Sequence, residues 1–469
     1  MSFAGYSAVL SLGFNSAVSR EVARTSGSTD STWMNQVVNS TIGLFLVTGV
    51  IAFVGLAACS FFLSSWFNIP EVLYRPAQLA LIILGLELGF HLPLSIFTSI
   101  LWGQQRIVEC EAARIVARVV YFAAILIAFK TAASMVTLAF IVFLTSTLRF
   151  GLQWHLVRIA TPWLEFSRRW VSLTVVKKLA GFSASSFVYL FSQQIMSRAN
   201  YFVIGIFLAA TDVAAFSIPS RLVEIMLTLA IGMTGVVMPV ASELDAKGDL
   251  ERLRAVFFLG TKYVVIVSVP VIIAFIALGK SILLLWVGKE FADTNLLPAM
   301  NFVLVILTIA VGFQVSQTGV FSVLMGMGKH MIFSRITIST AVITVVLSTL
   351  LIRGFGLGLE GAALANLICY AVAYGILLPV YACRQLKISF LWYWLRTIGK
   401  PLALGLPIGI AVLLLKDVVA PRSLLVLLLE CVVVFFVYTL SSWFVILSRD
   451  ERQRLLRVFR LIPPPEIAQ

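Results

Sequence analysis

Charge is what this chain lacks most: Asp, Glu, Lys and Arg together make up 12% of its 469 residues. Soluble domains carry about twice that share. Hydrophobic residues fill 60% of the chain and the mean hydropathy is +1.01, so a water-exposed globular surface is excluded and the chain belongs in a bilayer. The five cysteines, Cys59, Cys110, Cys369, Cys383 and Cys431, show no CxxC spacing, and His91, His155 and His330 lie far apart. Neither a disulfide framework nor a metal site is expected. Gly354, Gly356, Gly358 and Gly361 follow an apolar helix rather than a strand, so they are not a dinucleotide loop.

Acid/base chemistry outside the membrane is equally scarce. The longest outer loop, from Gly279 to Asn295, offers Glu290 and Asp293 as its acids, which argues against a membrane-embedded polymerase or glycosyltransferase. No charged segment precedes the first apolar run and no small-residue cleavage site follows it, so that run is not a signal peptide. No catalytic residue, cofactor or nucleic-acid partner is expected.

Long apolar runs are what is present. A crossing needs about 20 residues for a hydrocarbon core of about 30 Å, and runs of that kind fall near 3–19, 38–66, 76–102, 110–130, 133–157, 179–209, 212–240, 254–278, 296–326, 331–352, 359–383, 396–416 and 422–447. Their unbroken apolar character predicts helices rather than the alternating segments of a barrel. The expectation is an all-α polytopic membrane protein of 13 spans.

Sparse landmarks repeat along this background. Leu12-Gly13 matches Ile231-Gly232, Ser65-Trp66 matches Leu285-Trp286, Gly89-Phe90 matches Gly312-Phe313, and Trp102-Gly103 with Arg106 matches Met325-Gly326 with Lys329. The offset stays between 219 and 223 residues and the order is kept, which reads as a duplication. The second copy opens with a helix at Leu179 to Ala209 that has no counterpart before Met1, so the first copy is expected to lack about 41 residues. Restoring that helix would make 14 spans.

Basic residues set the orientation. One set of alternate loops holds Arg75, Lys130, Lys280, Lys289, Arg353, Lys416 and Arg422, while the other set and the C-terminal tail hold most of the rest. The positive-inside rule then puts the C-terminus in the cytoplasm of a multi-pass cytoplasmic-membrane protein. The domain reading follows: residues 1–157 an N-lobe, 158–178 a basic interfacial linker, 179–383 a C-lobe of six helices, 384–447 two extra helices, and 448–469 a basic cytoplasmic tail. Lobes with an even span count enter the membrane alike, which predicts two parallel-repeat helix bundles with a substrate site between them.

Seven basic residues fall inside spans: Arg114, Arg118, Arg149, Arg198, Arg221, Lys262 and Lys400. Each costs about 2.5–3.5 kcal/mol at a helix centre on insertion scales, so a group of them calls for water, partners or a ligand. The comparably placed acids are Glu87 and Glu224, so an interior cavity would be net positive and suited to an anion; Arg221 and Glu224, three apart, could instead pair with each other. Gln193, Gln194 and Asn200 thicken the same zone with groups that suit sugar hydroxyls or helix–helix contacts. Glu87 and Glu224 are the candidates for coupling to an ion gradient.

The segments LGFNSAVSREVAR, FSASSFVYLFSQQIMSRANYFVIGIFLAATDVAAFSIPSRLVE, LLLWVGKEFADTNLLPAM and GLEGAALANLICYAVAYG together resemble the polysaccharide-transport (Wzx-type) flippases of the MATE/MOP superfamily. The resemblance covers nearly the whole chain. It implies a transporter rather than an enzyme, one that exports an undecaprenyl-pyrophosphate-linked oligosaccharide by alternating access. Its implied partners are the bilayer, the polyprenyl-pyrophosphate-linked glycan and polysaccharide assembly proteins. It also implies substrate-binding roles for Arg118, Arg149, Arg198, Arg221 and Lys262 by their place in the spans. Many relatives have an acidic residue where this chain has Asn200. A multidrug or organic-cation exporter on the same fold and a non-transporting remnant are the alternatives.

Overall fold

The computed structural model describes residues 10–25, 31–62, 71–130, 134–235, 237–287, 296–415 and 423–458. Among the described residues every regular element is helical, as a backbone without water to bond to requires. Eleven helices are long and apolar enough to cross a membrane. The chain divides into two compact bodies, Met1–Gln194 and Ile195–Gln469.

The first body contains α1 (Phe14–Thr25), α2 (Ser31–Phe61), α3 (Glu71–Leu94), α4 (Ile96–Gly103), α5 (Ile107–Lys130), α6 (Met135–Ala160) and the opening of α7 (Leu173–Phe207). Helices α2 and α3 pack along their length. At their crossing a Cβ on Gly49 would stand 2.6 Å from the Gly89 carbonyl oxygen, so glycine is what lets the two backbones meet, the close approach that drives helix association in lipid. The chain breaks between α3 and α4 at Ser95, two residues after Pro93, which has no N–H to give the ladder. Ser95 Oγ donates to the Leu92 carbonyl at 2.6 Å, bonding within the break.

The expected first span, 3–19, falls partly on residues 1–9, outside the described ones. Its described part is not a crossing helix. Leu12 and Gly13 turn through positive φ, and α1 then buries Phe14, Ala17, Val18 and Val22, a single apolar stripe at helical spacing. That stripe lies on α4, and the other faces carry Arg20 and Glu21, which have no place in hydrocarbon.

The linker is bonded along α2. Asn39 Nδ2 donates to the Glu165 carbonyl at 2.7 Å, and its Oδ1 accepts from Ser167 N at 2.9 Å. Asn35 Oδ1 accepts from Glu165 N, and Ser40 Oγ from Ser172 N. Three side chains on two successive turns of one helix thus satisfy the backbone of an extended strap.

The second body holds α8 (Ala210–Thr234), α9 (Val237–Ala246), α10 (Leu250–Val287), α11 (Leu296–Ser316), α12 (Thr318–Gly326), α13 (Met331–Gly354), α14 (Gly358–Gln385), α15 (Phe390–Leu415), α16 (Leu424–Val445) and α17 (Arg449–Val458). Its core gathers residues such as Ile204, Phe216, Val223, Leu283, Met300 and Leu304. A local arrangement from the first body recurs here. The chain breaks at Gln317 between α11 and α12, and the short α9 lies on α12 as α1 lies on α4. A Cβ on Gly103 would meet Val22 Cβ at 2.5 Å, and one on Gly326 would meet the Met238 carbonyl oxygen at 2.7 Å. Two residues beyond each glycine, Gln105 and Gly328 adopt φ of 60° and 71°.

The expected span at 179–209 falls on α7, a 35-residue helix that ends at Phe207 and is not among the eleven. Its serines, Gln193, Gln194, Arg198 and Asn200 dilute the apolar run.

Candidate functional site

In the first body the polar residues converge on the facing sides of α3 and α6. Glu87 and His91 are buried one turn apart on α3. Ser146 Oγ of α6 donates to Glu87 Oε1 at 3.0 Å, and Thr147 Oγ1 lies 2.9 Å from His91 Nε2. His91 Nδ1 stands 3.6 Å from Glu87 Oε1, just beyond a direct hydrogen bond. The imidazole stacks on Phe150 with centroids 5.4 Å apart. The gap to Glu87 leaves His91 Nδ1 buried without a hydrogen-bond partner beside the carboxylate.

Arg149 occupies the same face of the body. Its guanidinium lies 4.0 Å from the Phe150 ring centroid. The Nε is buried without a hydrogen-bond partner. Arg114, Glu87, Cys110 and Arg118 are the titratable groups that lie near it. Arg114 is spent on Glu111 at 3.1 Å, whereas Arg118 is exposed on the stripe that also carries Glu111, Arg114 and Tyr121. Gln153, buried on α6, accepts from Thr98 and donates to Cys110 Sγ, which makes it interhelical glue.

In the second body Arg221 closes on Glu224 at 2.6 Å, the pairing their spacing allowed. This takes both from the list of free charges. Arg198 lies 5.8 Å from the Tyr201 ring centroid, with no carboxylate paired to it among the described residues. Asn200 Oδ1 accepts from Ser348 Oγ at 2.8 Å, a tie between α7 and α13. The side chain of Gln193 lies outside the described residues, and Gln194 belongs to the first body.

Lys262 departs most from expectation. Expected as a cavity cation, it is ion-paired: Nζ lies 2.9 and 2.8 Å from the two oxygens of Glu451 on α17. Glu451 also accepts from Ser448 N at 2.7 Å, while Ser448 Oγ accepts from Glu451 N at 3.3 Å, a reciprocal capping box that starts α17. Burial, the largest single influence, pushes the Glu451 carboxyl up. The Lys262 and Ser448 hydrogen bonds outweigh it together and hold the carboxyl below its ordinary value. His91 and Glu451 are the residues sequence reasoning passed over, although Glu87-x-x-x-His91 and Ser448-x-x-Glu451 are both local spacings that could have found them.

The profile of the family described as polysaccharide biosynthesis protein matches residues 3–296. The probable low-salt glycan biosynthesis flippase Agl15 of Haloferax volcanii is 23% identical over 221 residues, covering 47% of this chain and 44% of that protein. The match therefore spans less than half the length of that relative. Among solved structures, a multidrug resistance MATE family transporter of the MOP superfamily in its inward-facing conformation superposes with a TM-score of 0.70 at 16% identity, over 82% of this chain and 88% of that one. A multidrug resistance MATE family transporter described in an outward-facing conformation gives 0.65 at 15% identity, over 82% and 86%. A MOP superfamily transporter from Pyrococcus furiosus, described as having a binding pocket of reverse polarity, gives 0.63 at 15% identity, over 82% and 86%. At these identities the likeness establishes a shared fold.

Proposed function

The chain belongs to the polysaccharide biosynthesis protein family, and from that premise we propose that it is a flippase for an undecaprenyl-pyrophosphate-linked oligosaccharide. The glycan passes from the cytoplasmic to the outer leaflet of the cytoplasmic membrane as two parallel-repeat lobes alternate access to a cationic cavity. The multi-pass fold it shares with MOP transporters and the relationship to Agl15 support this reading.

The observation that carries it is Arg149, a half-buried arginine whose Nε is enclosed without a hydrogen-bond partner and which pairs with no carboxylate among the described residues. A desolvated, unpaired charge costs several kcal/mol, and a protein retains one where a ligand completes it. A pyrophosphate fits, because its oxygens accept the paired N–H groups of a guanidinium fork. Arg118, in the same body, is the further cation we assign to the anion. Arg221 and Lys262 carry less of the proposal, since Glu224 and Glu451 already neutralise them. Each charge-assisted bond contributes about 1.5–3 kcal/mol, which corresponds to roughly tenfold to a hundredfold in affinity.

The test is transport by the reconstituted chain. Flux of a lipid-pyrophosphate glycan that falls by at least about tenfold in Arg149→Ala, at normal insertion, supports the proposal. Efficient export of organic cations, with no response to lipid pyrophosphates, overturns it in favour of a drug exporter.

A further inference from the structure

A cavity of about 580 Å³ opens in the second body between the first turns of α10 and the turn that joins α14 to α15. Its walls include Glu251, Arg252, Arg254, Phe258, Lys387 and Trp392. Three cations face one acid. Arg254 Nε donates to the Leu386 carbonyl at 2.8 Å, so this arginine fixes the turn that presents Lys387. Lys387 is held at φ 53°, a left-handed conformation that is strained for a non-glycine residue. No ion pair involving Lys387 occurs among the described residues. Arg252 reaches Asp249 at 3.4 Å on an exposed surface, a weak and screened pairing.

The depth of this cavity follows from length. Helix α10 has 38 residues, about 57 Å at 1.5 Å per residue, nearly twice the hydrocarbon thickness of about 30 Å. Glu251, Arg252, Arg254 and Lys262 all sit in its opening turns, so that end projects into the headgroup layer. Trp392 meets Phe258 edge-on at 4.6 Å and lies under the Arg396 guanidinium at 4.4 Å, an aromatic and basic pairing suited to the interface. Below the cavity, α15 exposes Leu391, Leu395, Leu402 and Leu406 on one side. Phosphate-binding charge at one end and an apolar track running away from it match a phospholipid from headgroup to acyl chain.

We infer that this cavity binds the phosphodiester headgroup of an anionic phospholipid, with Arg252 and Lys387 on the phosphate, Trp392 at the glycerol level and the acyl chains along α15. The site is separate from the transport residues and does not depend on the flippase reading. The probe is the full chain in phosphatidylcholine vesicles with acyl-brominated phosphatidylglycerol, read by quenching of the fluorescence that Trp392→Phe removes. Quenching is expected at low mole fractions of the anionic lipid. Each basic residue near the surface is worth about 1 kcal/mol, so Arg252→Gln with Lys387→Asn should raise the required fraction about tenfold or more. Lys387→Arg should retain it. Asparagine tolerates the left-handed backbone, so an unchanged melting midpoint separates lost binding from lost folding. Equal quenching by brominated phosphatidylcholine, or full relief by millimolar inorganic phosphate, overturns the inference.

Discussion

His91 Nδ1 lies 3.6 Å from Glu87 Oε1 across one turn of α3, and α6 closes over both with Ser146 and Thr147. The two titratable groups share a dry setting, with Arg149 as the nearby cation from α6. If Glu87 exchanges a proton or ion during transport, Glu87→Gln abolishes the dependence of export on an ion gradient while Ser146 keeps a carbonyl oxygen to bond. His91→Gln should shift the pH at which that dependence appears. Export by both variants that tracks the gradient as in the parent chain removes the pair from coupling and leaves it a polar contact between helices.

Asn39 carries the docking of the linker to α2. Replacing it with alanine leaves the Glu165 carbonyl and the Ser167 amide without their partners, at a cost of about 1–3 kcal/mol. Asn39→Ala should therefore speed tryptic cleavage at Arg168 and Arg169, and cleavage at the parental rate would show that the strap is held by other contacts. Asn39→Asp is informative beside it, because the carboxylate can still accept from Ser167 but cannot donate to Glu165.

The Lys262–Glu451 pair makes the C-terminal helix sensitive to acid. Because the folded carboxyl titrates below its ordinary value of 4.5, the stabilisation is fully present above about pH 4.5 and is lost as pH falls through the lower, folded value. Proteolysis at Arg449 and Arg452 should accelerate over that window in the parent chain. Glu451→Gln keeps an acceptor for the capping box but not the ion pair, so it should show the faster rate at neutral pH and no acid step. A parent chain with the same acid step after Lys262→Met would rule the pair out as its cause.

Much of this architecture was legible because membrane helices announce themselves by composition, and because one landmark encoded a steric need. The match of Gly103 with Gly326 reflects two close backbone approaches, where any Cβ would collide with Val22 or with the Met238 carbonyl. Of the expected first span, 3–19, the described part shows a stripe of Phe14, Ala17, Val18 and Val22 on one face only, and the remainder lies outside the described residues. The cations inside spans were equally visible, but their partners were not. Arg221 finds Glu224 three residues on, which spacing suggests, whereas Lys262 finds Glu451 at a separation of 189 residues, which no local pattern reports. Arg149 stood in the same list as Lys262, and only the fold separates the paired cation from the orphaned one.

That distinction yields the sharpest prediction. A residue kept for a ligand at the expense of the fold should show opposite signs in stability and function. Methionine approximates the length of the Arg149 stem, packs on Phe150 and carries no charge to desolvate. Replacing a desolvated, unpaired charge with a hydrophobe relieves its desolvation cost, and each kcal/mol gained raises the melting midpoint of a body of this size by roughly 2–4 °C. Arg149→Met should therefore melt higher than the parent chain in the same detergent while its glycan flux falls by about tenfold to a hundredfold. Arg149→Lys should recover flux only in part, since a point charge replaces the planar fork. A variant that melts lower and still exports at the parental rate would make Arg149 a structural cation and remove it from the anion site.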